Sequence, residues 1–112
     1  MAETGDIGGA TALVNTVRAR VGMPRVQDVE GAVNQSEMIE IVRHERRVEL
    51  ALEGLLCIDL KRWGTLQQAF TKAENDPVGP YNPQYLGARS SSFPIPQNEI
   101  DVNQLLVQNP AW

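Results

Sequence analysis

This chain of 112 residues has one cysteine, one histidine, no long apolar run and no excess of positive charge. Each shortage excludes something. One cysteine, Cys57, cannot form an internal disulfide or build a cysteine-rich zinc site. One histidine, His44, starts a His-Glu-x-x-x run, but the second metal-binding histidine of a zincin would have to stand at position 48, and that residue is Val48. His44 reads as a surface residue on the polar side of a helix. No run approaches the roughly 18–20 apolar residues of a membrane span. The opening residues Met1-Ala2-Glu3-Thr4-Gly5-Asp6 carry neither the basic region nor the apolar stretch of a secretory signal. A net charge of −4 argues against a partner held through a nucleic-acid backbone. There is no glycine-rich phosphate loop, nucleophile elbow, metal-ligand cluster or internal repeat.

What is present is an ordinary globular balance, 42% hydrophobic and 21% charged, in a length suited to one domain. Periodicity predicts about three helices. Over 8–21, Ala10, Leu13, Val14, Val17 and Val21 recur at helical spacing, with Gly22 as a C-terminal cap and Pro24 as a stop. Arg18 and Arg20 flank that stripe. Residues 25–35 read as a polar connection without period. A second helix is expected over 36–53, capped by Asn34 or Ser36; Asn34-x-x-Glu37 has capping-box spacing. A third is expected over 59–72, interrupted or bent near Gly64.

From 75 to 112 the character changes. Pro77, Pro80, Pro83, Pro94, Pro96 and Pro110 punctuate an irregular tail, with short turns expected at 97–101 and 102–106. Tyr81, Tyr85, Leu86, Phe93, Ile95, Ile100, Leu105, Leu106, Val107 and Trp112 make it too apolar for a disordered composition. Such a tail needs a surface to pack on. We therefore expect it, and part of the helical faces, to cover a larger body, and expect self-association where those faces are bare.

The second helix is charged where it should be apolar. At 100° per residue, Ile41, Val42, Val48, Leu52 and Leu56 fall within about 80° of Met38. Glu45 and Glu49 fall in the middle of that stripe. A carboxylate on a buried face costs several kcal/mol unless cations reach it. Two carboxylates one turn apart make a patch rather than the opposed pair that acid–base catalysis requires. The expected arrangement is an ion network in which Arg18 or Arg20 meets Glu45 or Glu49. No catalytic residue is assigned. Interleaved Glu40, Glu45 and Glu49 neutralise Arg43, Arg46 and Arg47, which removes a nucleic-acid patch. Arg62 and Trp63 are the candidates for a ligand contact, since tryptophan stacks on sugar rings and arginine donates to hydroxyls; core packing is the competing reading of Trp63. Cys57, after Leu55-Leu56, has a superficial likeness to a lipoprotein processing site, but it lies mid-chain and reads as a small packed side chain.

Three segments together resemble one family. They are Leu13–Gly22; Ile41–Gly54 followed by Asp59-Leu60-Lys61-Arg62-Trp63-Gly64; and Phe93–Asp101 closing in Gln108-Asn109-Pro110-Ala111-Trp112. In that order they resemble the SusD/RagB family of outer-membrane nutrient-binding lipoproteins. The resemblance implies an all-α fold with tetratricopeptide-like helix pairs in the N-terminal part. It implies attachment to the outer face of the outer membrane through a lipidated N-terminal cysteine, and a partnership with a SusC-type TonB-dependent transporter. It implies capture of oligosaccharides or other nutrients, with no enzymatic activity and no cofactor. By that resemblance the chain is expected to be the C-terminal portion, without signal, lipidation site or repeat helices. A structural or interaction module with no ligand site of its own is the alternative. The apolar Leu55-Leu56-Cys57-Ile58 departs from the family pattern and predicts extra burial there. Family ligand contacts fall largely outside these motifs, so the motifs are expected to be scaffold.

Overall fold

The computed structural model describes residues 1–76 and 83–112. Pro77, Pro80 and Tyr81 of the expected tail lie outside the described residues. The fold is all-α, with no strand among the described residues. The chain divides into two compact units, Met1–Leu56 and Cys57–Trp112.

The first unit begins with a 3₁₀ turn, Ala2–Thr4, then α1 (Ile7–Arg20), the single turn α2 (Val26–Val29) and α3 (Gln35–Glu49). α1 starts on Asp6, whose carboxylate accepts the Gly9 N–H at 2.8 Å. A Cβ at Gly9 would crowd the Asp6 carboxylate, which would have to shift to keep this cap. At the other end Gly22 N–H bonds the Ala19 carbonyl at 3.3 Å and Met23 N–H the Arg18 carbonyl at 3.0 Å. This is a Schellman closure, and Gly22 supplies the φ of 72° it needs. α3 starts on Asn34, not Ser36, with both halves of the capping box formed: Glu37 N–H donates to Asn34 Oδ1 at 3.0 Å and Asn34 N–H to Glu37 Oε2 at 2.8 Å.

α1 and α3 run side by side in the same direction. Thr11 Oγ1 donates to Met38 Sδ and Arg18 to Glu45, and each pair is 27 residues apart in sequence. The connection must therefore carry the chain back along α1, which is about 21 Å long. It is more than the polar connection without period that the sequence suggests. Val26, on α2, is among the most buried residues, and Asn15 of α1 straps it down. Asn15 Oδ1 accepts the Val26 N–H at 2.8 Å, and its Nδ2 donates to Gln27 Oε1 at 2.9 Å. The core comprises Ala2, Ala10, Val14, Val26 and Met38, with Ile7, Val33, Ile39, Ile41 and Val42 packed around it.

Several expected core positions are exposed instead. α3 ends at Glu49 rather than 53, because the chain turns through Leu50–Gly54 with Leu52 at φ 68°. Leu52 and Leu56 therefore lie beyond the helix and outside the core, Leu52 fully exposed, and Val48 in its last turn is exposed as well. α1 ends at Arg20, so no residue of that helix extends to meet them. Leu13 of α1 and Val21, just past its end, are also exposed.

The second unit holds most of α4 (Leu56–Trp63), then α5 (Leu66–Glu74), α6 (Ala88–Ser91) and α7 (Gln97–Val102). The predicted third helix is thus two, broken where Gly64 takes φ 70°. Leu66 and Asp59 are buried, and Phe70 meets Tyr85 edge-on with ring centroids 5.9 Å apart. Within the tail, α7 takes the turn expected after Pro96, and the turn expected over 102–106 forms as well, with Leu106 N–H donating to the Asn103 carbonyl at 2.9 Å; α6 carries no periodic signal in the sequence. Leu86, Phe93, Leu105 and Val107 remain exposed. The predicted burial of 55–58 does not occur: Leu56, Cys57 and Ile58 are exposed and Leu55 is half-buried. Cys57 is therefore not the packed side chain expected of it. An apolar run on a short helix stays bare unless another element lies over it, and sequence alone does not supply that element.

Candidate functional site

The two glutamates centred on the α3 stripe each meet an arginine of α1. Arg18 directs Nε and Nη2 at one oxygen, Glu45 Oε1, at 2.7 Å and 2.6 Å. Arg20 pairs with Glu49. The two pairs differ in setting. The side chains of Arg18 and Glu45 are 8% and 12% exposed, whereas those of Arg20 and Glu49 are 65% and 31% exposed. Arg18 does not flank the apolar stripe of α1 as expected. It continues the buried row Ala10, Val14, Arg18, one residue every four, and its stem lies in the core. That position is why it reaches Glu45 under cover while Arg20 reaches Glu49 in solvent.

Beside this network lies an open groove of about 590 Å³ along the seam of α1 and α3. Leu13, Val14 and Val17 form one wall and Val42 and Leu50 the other, with Met1 and Ala2 at one end; Glu45, Arg46 and Glu49 are its charged lining. Sequence reasoning missed this groove because it assigned Leu13 to the core. No aromatic ring lines it, and two of its three charged groups are held by arginines, so it offers neither a stacking platform nor an acid–base pair. Among the described residues, no three His, Cys, Asp or Glu side chains gather as metal ligands.

The ligand candidates lie in the second unit. Arg62, largely exposed, pairs with the buried Asp59 one turn before it, and Trp63 is half-buried. Asp59-Leu60-Lys61-Arg62 thus uses its first and fourth residues on each other. Neither Arg62 nor Trp63 lines the α1–α3 groove. Two cation–aromatic pairs that sequence reasoning did not single out occur in this unit: Lys61 Nζ lies 4.7 Å from the centre of the Phe93 ring, and the Arg89 guanidinium 5.1 Å from that of Trp112. His44 is exposed, on the outer side of α3.

Comparison with known protein families gives a match over the whole chain. The model of the SusD family covers residues 1–112. No curated protein and no solved structure matches the chain.

Proposed function

The chain belongs to the SusD family, and on that premise we propose that it forms the C-terminal part of a cell-surface protein that binds oligosaccharides and delivers them to a TonB-dependent outer-membrane transporter. The family is one of binding proteins that take up glycans or other nutrients together with SusC-type transporters. The observation that carries the reading is the family match along residues 1–112. The order of the motifs supports the C-terminal assignment.

Within that role we assign this stretch to scaffold. Three carboxylates of its most characteristic motif are spent internally: Glu45 on Arg18, Glu49 on Arg20, Asp59 on Arg62. Sugar recognition requires polar groups that are free to meet hydroxyls, usually beside an aromatic face. The α1–α3 groove is apolar and has no ring. This favours the second reading, a module that completes a helical framework and holds no glycan by itself.

The test uses the tagged protein recovered from its own outer membrane. We expect it to co-purify with a TonB-dependent transporter and to be retarded in native gels cast with a soluble glycan from a panel. Recovery free of any transporter, with no retardation by any glycan, would refute the importer reading. Retardation that persists when Arg62 and Trp63 are both replaced by alanine supports the scaffold assignment.

A further inference from the structure

Residues 92–95 and 108–112 are joined without a strand. Gln108 does what a residue of a neighbouring strand would do. Its Oε1 accepts the Ile95 N–H at 2.9 Å, and its Nε2 donates to the Ile95 carbonyl at 2.9 Å. The same oxygen accepts the Asn109 N–H at 2.9 Å, which fixes the amide's orientation. Asn109 Nδ2 donates to the Phe93 carbonyl, and Trp112 Nε1 to the Ser92 carbonyl at 3.0 Å. Arg89 closes the far end: its Nε donates to the Ala111 carbonyl at 2.6 Å while its guanidinium lies over the Trp112 ring. Pro94 and Pro96 lack N–H groups, so this segment cannot pair along the side those groups would face and is left to bond through Phe93 and Ile95. Ile95 is the one residue between them with a donor, and a side-chain amide takes both of its backbone groups.

From this geometry we propose that residues 108–112 are a clasp that locks 92–95 as one cooperative unit and thereby holds Phe93 outward against Lys61. Phe93 is 81% exposed, so burial does not hold it. What holds it is its backbone, pinned at 92, 93 and 95, with the Lys61 ammonium over the ring. Contacts that share one short backbone segment are expected to break together, because releasing any pin frees the segment's dihedral angles.

The experiment is amide exchange by nuclear magnetic resonance on the whole chain. The Ile95 rate is divided by that of Ala69, whose N–H bonds the Thr65 carbonyl inside the same unit. Gln108→Ala is expected to raise this ratio about tenfold or more. Trp112→Ala removes no hydrogen bond to Ile95, and the clasp requires it to raise the ratio too. Gln108→Glu retains the acceptor for the Ile95 N–H and should raise it less than alanine does. In both alanine variants the ring-current displacement of the Lys61 side-chain protons by Phe93 should shrink. An unchanged ratio and unchanged Lys61 shifts in Trp112→Ala would overturn the proposal and leave independent contacts. A ratio unchanged because Ala69 accelerates equally would overturn it as well, since the segment would then open only with the whole unit.

Discussion

Replacing Arg18 by methionine removes a cation and keeps most of the buried stem. It leaves the Glu45 carboxylate, 12% exposed, without its donor pair. Breaking one side of a buried ion pair costs about 3–5 kcal/mol. A unit of 56 residues, at ~0.05–0.15 kcal/mol per residue, has about 3–8 kcal/mol in all. Arg18→Met should therefore unfold much or all of the first unit at room temperature. Glu45→Gln, which keeps an acceptor oxygen for the guanidinium, should cost less, about 1–3 kcal/mol. The double replacement Arg18→Met with Glu45→Leu removes both charges and should recover most of the loss, because desolvating the pair offsets much of its attraction. Arg20→Ala, at the exposed pair, should cost no more than about 1 kcal/mol. Urea unfolding of these four variants and of Glu45→Leu alone, read as a double-mutant cycle on Arg18 and Glu45, measures this. If Arg18→Met and Glu45→Leu prove mild and additive, with coupling below about 0.5 kcal/mol, the pair does not hold α1 to α3 and the argument fails.

Two further predictions concern the ends of α3. Asn34→Ala removes the capping-box acceptor and should cost about 1 kcal/mol, visible as a lower urea midpoint with an unchanged slope. Leu52→Gly should stabilise rather than destabilise, by up to about 1 kcal/mol, because Leu52 buries nothing and sits at φ 68°, where a side chain is penalised; a lower midpoint in that variant would show that the turn uses the leucine.

Much of the first unit was legible in the residues because it is written in local signals. Asn34-x-x-Glu37 can cap a helix wherever the helix goes, and Gly22 before Met23 and Pro24 can close one. The arginine partners of Glu45 and Glu49 were legible by exclusion, since a carboxylate on an apolar stripe must find a cation within reach. Which arginine would be buried was not legible. Arg18 and Arg20 differ by two residues, or roughly 200° around a helix, and only the direction in which α1 meets α3 decides which one faces inward. Val26 gave no periodic signal because a four-residue helix has too few positions to show one. The exposed Leu52, Ile58 and Cys57 were misassigned for the converse reason: an apolar residue announces a preference for burial but not whether another element arrives to cover it.

The all-α class, the capping-box spacing before α3, the closure at Gly22, the break at Gly64, the requirement for ion pairs and the family motifs were determined by sequence alone, since each depends on spacing within a few residues or on motif order. Tertiary structure decided the rest. It set α1 and α3 in the same direction, which made α2 a necessary return. It put Arg18 in the core and Arg20 in solvent, and opened an apolar groove where a closed stripe was expected. It also joined Ile95 to Gln108 across thirteen residues. Those outcomes rest on contacts between distant segments, whose energies depend on which faces meet, and no local pattern specifies that.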